Sequence, residues 1–161
     1  MAEANFIQAL GDILTELIDG PPADYAYVLN PGDAGLLRSL GKLSAADASA
    51  TPAGGASIAA HVDHLRYGFE LLNRWAAGEE PFTDADYSRS WERLVVSDTE
   101  WLSRQEALRR EAYAWREAMH KSREMSATEL KGVIGSTVHL AYHLGAIRQI
   151  NRAARGPAAN D

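Results

Sequence analysis

The 161-residue chain contains no cysteine. That excludes a disulfide framework, a thiolate metal ligand and a cysteine nucleophile. Any metal must then be held by nitrogen and oxygen, and any thiol chemistry must use a thiol brought by the substrate. Only two of the six prolines lie beyond the first third of the chain, while Ala, Leu, Glu and Arg are abundant, a balance that favours an all-α protein. No run approaches the roughly 18 apolar residues of a membrane span. The start MAEANFIQALGDIL lacks the basic segment and long apolar core of a secretory signal, so a soluble, cytoplasmic protein is expected, with no membrane partner. Positive charge is also short. Sixteen Lys and Arg against 22 Asp and Glu leave a net charge of −6, which argues against nucleic acid as a partner. The basic clusters at Arg104 to Arg116 and Arg148 to Arg155 read as solvated helix faces. A Gly-rich phosphate loop, HExxH and GxSxG are all missing, and the residues three before His139 and His143 are Ser136 and Leu140, where the Glu-x-x-His motif of di-iron bundles would need Glu.

What is present is helical. Hydrophobic residues make up 46% of the chain, enough for one domain with a real core. Phe6, Ile7, Leu10, Ile13, Leu14 and Leu17 mark a helix over 3–18, stopped by Gly20-Pro21-Pro22. A short helix is expected at 33–42, and the Ala, Ser, Thr, Gly and Pro of 44–56 read as loop. Ser57 opens a second long helix to about Ala77, with Gly78 just past its end and Ile58, Val62, Leu65, Phe69 and Leu72 as its core stripe. The capping boxes Ser97 to Glu100 and Ser126 to Glu129 open two further helices, expected to end near His120 and Ala153. Trp101, Leu102, Leu108, Ala112, Trp115 and Met119 are the apolar markers of the first of these. The connection at 78–96 can reach roughly 60 Å, twice the roughly 30 Å length of a 20-residue helix. It can therefore act as a crossover that lets the second and third long helices run parallel. The domain is expected to span 1–155, with a frayed tail at 156–161.

The chain has five histidines. His139 and His143 are four residues apart in GVIGSTVHLAYHLGAIRQINRAA, so a helix places them one turn apart on one face, where two imidazoles can converge on one ion. A third ligand must come from another helix, and IAAHVDHLRYGFELLNRW offers His61 or His64. Small residues near the pair (Gly135, Gly145 and Ala146) would let a neighbouring helix or a substrate approach closely. His120 fits a helix C-terminus, where imidazole complements the dipole. Tyr142 follows the helical period beside the pair, as core aromatic or as a hydroxyl lining the site. The four tryptophans read as core or loop anchors.

Three stretches carry a family likeness: SIAAHVDHLRYGFELL, SRSWERLVVSDTEWLSRQEAL with Trp91 and Trp101, and VHLAYHLGAIRQI. Over roughly residues 57–152 the chain resembles the DinB/YfiT-like superfamily, the HxxxH helix being the most specific part. The resemblance implies an up-down-down-up four-helix bundle with a long crossover and one extra short helix. It also implies a divalent metal, zinc or nickel, held by three histidines. His139 and His143 map directly. The family's histidine before a Leu or Ile, about seven residues after a helix-opening Ser or Thr, maps onto His64, whereas periodicity sets His61 nearer the centre of the apolar stripe. Homodimers are frequent in such families.

Two functions are expected from this reading. The first is a metal-dependent enzyme, a hydrolase or thiol S-transferase acting on a small molecule with water or an external low-molecular-weight thiol. His64, His139 and His143 would be its ligands, Tyr142 its candidate catalytic hydroxyl, and Asp63 and Arg148 lesser polar candidates that read better as solvated residues. The second is a non-catalytic, stress-associated dimeric bundle that binds a metal or ligand. An open ligand position favours the first, and closure by a fourth ligand such as His61 favours the second.

Overall fold

The computed structural model describes residues 2–22, 24–92, 95–121 and 125–154, with side chains from Phe6 onward. The tail expected at 156–161 lies outside the described residues. Among the described residues every regular element is helical: α1 (Ala2–Asp19), α2 (Gly35–Leu40), α3 (Ala45–Ser49), α4 (Ile58–Ala76), α5 (Asp98–Met119) and α6 (Ala127–Ile150), with 3-10 turns at Ser88–Trp91 and Arg152–Ala154. None of the helices is long and apolar enough to cross a membrane.

Local chemistry sets the ends of these helices. Ser57 Oγ accepts the Ala60 N–H at the start of α4. Ser97 and Glu100 bond reciprocally at the start of α5, as do Ser126 and Glu129 at the start of α6. Each such cap contributes about 1 kcal/mol. At the end of α4, Gly78 takes φ +92°. Its N–H donates to the Trp75 carbonyl and that of Glu79 to the Arg74 carbonyl, the two bonds of a Schellman closure. The stretch 44–56, expected as loop, holds α3 instead. Ser44 and Asp47 form a capping box there too, and Ala45 and Ala48 are buried. The last helix stops at Ile150, and a 3-10 turn completes the segment expected to run to Ala153.

Paired side chains fix the helix directions. Asp63 meets Arg104, and Asn73 meets Glu111, so α4 and α5 run parallel. Asp19 accepts from Tyr113 and Arg116, while Gly11 lies against His120, so α1 runs antiparallel to α5. His61 meets His143 and His64 meets His139, so α6 runs antiparallel to α4. These directions are compatible with the up-down-down-up order, and the crossover at 78–96 supplies the parallel step.

The core lies where the long helices meet and includes Leu14, Leu17, Leu108, Trp115, Leu140 and Ile147, each at most 1% exposed. Ile58, Val62, Leu65 and Phe69 are buried as their spacing predicts, and Leu72 packs half-buried against them. Leu102 departs from expectation and is 68% exposed. It is adjacent to buried Trp101, and neighbours in a helix point about 100° apart. Buried indoles need partners. Trp101 Nε1 donates to the Leu43 carbonyl and Trp115 Nε1 to Ser136 Oγ. His120 is the C-cap residue of α5.

Two polar devices hold the first loop on the bundle. The Glu16 carboxylate, 3% exposed, accepts the N–H groups of Tyr27, Val28 and Leu29. Arg148, expected to be solvated, makes a two-pronged pair with buried Asp33 at 2.9 and 2.6 Å. Gly20 and Gly35, at φ +102° and +63°, pack backbone to backbone between α1 and α2, where a Cβ on either would strike main-chain atoms.

Candidate metal centre

The one-turn spacing of His139 and His143 on α6 faces a one-turn pair near the start of α4, and four imidazoles meet there. His64 Nε2 lies 3.0 Å from His139 Nε2, which lies 3.1 Å from His143 Nε2. The three candidate ligand nitrogens all fall within 4.8 Å of one another. Ligands about 2.0–2.1 Å from a tetrahedral ion stand roughly 3.3 Å apart, so small shifts would seat zinc among them. His64 is 7% and His143 2% exposed, whereas His139 reaches solvent.

The far side of two rings is also tied. The Ser90 hydroxyl is 2.6 Å from the Tyr87 carbonyl, which can only accept, so its single proton goes there. Its lone pair then receives Nδ1–H of His64 at 3.0 Å. That fixes the tautomer of His64 and leaves Nε2 with a free lone pair facing the other two histidines. His143 Nδ1 lies 2.8 Å from His61 Nδ1. Donation from His143 to His61 likewise frees His143 Nε2. His61 therefore touches the outer nitrogen of a candidate ligand and stands outside the group of three. Trp91 stacks on His64 at 4.3 Å and meets His61 edge-on at 5.2 Å. The long crossover thus covers the α4 histidines, its Ser90 and Trp91 both in the 3-10 turn.

Electrostatics keeps the group neutral. Burial, with smaller contributions from His139 and His61, lowers His64 from 6.5 to about 4. Burial and the three neighbouring imidazoles lower His143 to about 3. Burial also lowers His61 and His139. Neutral imidazoles are the form that binds metal, so at pH 7 the lone pairs are available. The Nε2 atoms of buried His64 and His143 and of exposed His139 face one another, a donor arrangement that a cation can bridge. The donor set therefore fits a divalent ion that accepts imidazole. Among the described residues no fourth histidine or carboxylate joins the three.

Tyr142 is 70% exposed, its ring edge-on to His143 at 5.1 Å. Asp63, read as solvated, is paired with Arg66 at 3.1 Å and Arg104 at 2.9 Å. Gly135 borders open space, so no helix approaches closely there. It lines a cavity of about 410 Å³ that also touches His64 and His139. A larger charged cleft of about 580 Å³, lined by Asp63, Arg66, Arg89 and Arg104 among others, includes none of the three histidines.

Comparison of the chain with protein-family models, curated proteins and solved structures finds no match. The residues themselves must therefore carry the reading. Ser90 had no signal in the sequence, because its partner lies 26 positions away and the link between them has no regular period.

Proposed function

We propose that the chain is a metal-dependent enzyme of the DinB-like kind, acting on a small molecule as a hydrolase or thiol S-transferase. One observation carries the reading: three neutral histidine nitrogens converge, two of their rings are held from behind, and no fourth ligand among the described residues closes the group. His64, His139 and His143 would hold a zinc or nickel ion. Such an ion lowers the pKa of a bound water or thiol and so supplies a nucleophile at neutral pH.

The chain's own residues do the rest. Ser90 and His61 orient two ligands, and Trp91 shields the α4 histidines from water. Tyr142, beside His143 on the solvent side, is the candidate hydroxyl for proton transfer, and a homodimer is the assembly proposed with this reading.

Cobalt substitution tests the proposal. Co²⁺-loaded protein should show the intense visible bands of a four-coordinate site with an exchangeable ligand. Titration with 2-mercaptoethanol should add a thiolate charge-transfer band if thiol transfer is the reaction. Bands that respond to neither thiol nor pH would mean a closed site, and the non-catalytic dimeric bundle would become the better account.

A further inference from the structure

Among the described residues, none that lines the cavity beside the histidines is charged, although charged residues are 24% of the chain. Leu65, Phe69 and Leu72 line it from α4, and Phe82 and Tyr87 from the crossover. Its polar lining comes from His64, Ser136 and His139, two of them candidate metal ligands, and from Tyr87. Phe82 and Tyr87 remain 47% and 40% exposed while lining it, so the crossover side of the cavity meets solvent.

Three helix-interior glycines complete the lining: Gly68 on α4, and Gly132 and Gly135 on α6. Each costs its helix about 0.5–1 kcal/mol relative to alanine. None has a positive φ, and a Cβ added at any of them would meet nothing within 4 Å. Neither backbone conformation nor close helix packing therefore calls for glycine here. What the three share is the open volume in front of them.

Resting on the metal-site reading above, we propose that this cavity seats an uncharged, apolar group, an aryl ring or short branched alkyl chain, of the small-molecule substrate, whose polar end meets the three histidines. An apolar cavity of about 150 Å³ accepts a benzene ring. The 410 Å³ here accommodates a ring and a short linker reaching to His64 and His139. The absence of charge in the lining selects against zwitterionic or anionic tails, because such a group would be desolvated there without a partner.

The test uses zinc-loaded full-length protein, its zinc content measured on the same sample. Calorimetry compares 3-phenylpropionohydroxamate with acetohydroxamate, which share a chelating head and differ in the ring. The phenyl probe should bind about 10- to 100-fold tighter, the worth of burying one ring. Gly135→Leu, which places a side chain in open space, should erase that difference while leaving zinc content and acetohydroxamate binding unchanged. Gly132→Leu should do the same and guards against a fault peculiar to one variant. Equal affinity for the two probes in zinc-replete wild type, or an unchanged preference in both Leu variants, would overturn the proposal. A metal-independent arm separates the two readings. Benzyl alcohol should shift the amide signals of Gly68, Gly132 and Gly135 in metal-free protein. Shifts without zinc retention would sink the metal reading but support the apolar seat, and no shifts would count against the seat itself.

Discussion

Replacing Ser90 by alanine removes one hydroxyl from a 3-10 turn that lies outside the metal-ligating group. In the wild type its lone pair receives Nδ1–H of His64 at 3.0 Å, while its own proton goes to the Tyr87 carbonyl at 2.6 Å. Without it, the His64 proton can move to Nε2, and a protonated Nε2 has no lone pair for a metal. Loss of such an outer partner typically weakens metal binding about 10- to 100-fold, or about 1.4 to 2.7 kcal/mol. The fold should lose only about 1 kcal/mol, the net worth of a hydrogen bond. Zinc affinity is measured by competition with a chromophoric chelator, alongside urea unfolding of the metal-free protein. Ser88→Ala is the matched control, since Ser88 sits in the same turn and its hydroxyl donates to Asp86. Ser90→Thr, which keeps the hydroxyl, should restore most of the affinity. Wild-type zinc affinity in Ser90→Ala, or an equal loss in Ser88→Ala, would refute the tautomer argument.

Other consequences concern stability. His64 and His143 titrate in the folded protein at about 4 and about 3, below their ordinary 6.5. Between those values the unfolded chain binds more protons, so stability of the metal-free protein is full above pH 6.5 and falls as pH drops through it. The urea midpoint should therefore decline from pH 7 to pH 5, and a flat profile would mean that these imidazoles are not buried as neutral groups. Asp33→Ala removes the buried carboxylate paired with Arg148 and should cost about 3 kcal/mol in urea unfolding; a cost under about 1 kcal/mol would show that the pair is solvated. Leu108→Ala should cost about 2–5 kcal/mol. Leu102→Ser, on the solvent side of the same helix, should change thermal stability by no more than about 0.5 kcal/mol.

Much of this architecture was legible in the chain because its signals are local. Ser57, Ser97 and Ser126 cap helices through bonds three residues long, and Gly78 ends α4 as its position predicts. The pairing of His139 with His143 follows from helical spacing. The choice of His64 over His61 did not follow from spacing, since both side chains are buried on α4 and both meet α6. The two differ in which imidazole nitrogen they approach, and that depends on the register of α4 against α6. The helix α3 was missed because five residues are too short to show a period, although Ser44 to Asp47 carried a capping signal. Arg148 looked like part of a solvated basic face because its partner, Asp33, lies 115 positions away. The cavity was invisible for the same reason: Gly68 lies on α4 and Gly132 and Gly135 on α6, and only packing shows that they face one space.

The most direct test of the metal centre is elemental mass spectrometry on tag-free protein after zinc loading and desalting. It would compare wild type with His64→Ala, His139→Ala, His143→Ala and His61→Ala. The account predicts about one zinc per wild-type chain, lost in the His64, His139 and His143 variants and retained, more weakly held, in His61→Ala. Wild-type protein that retains no metal, or a site that depends on His61 and not on His64, would contradict it.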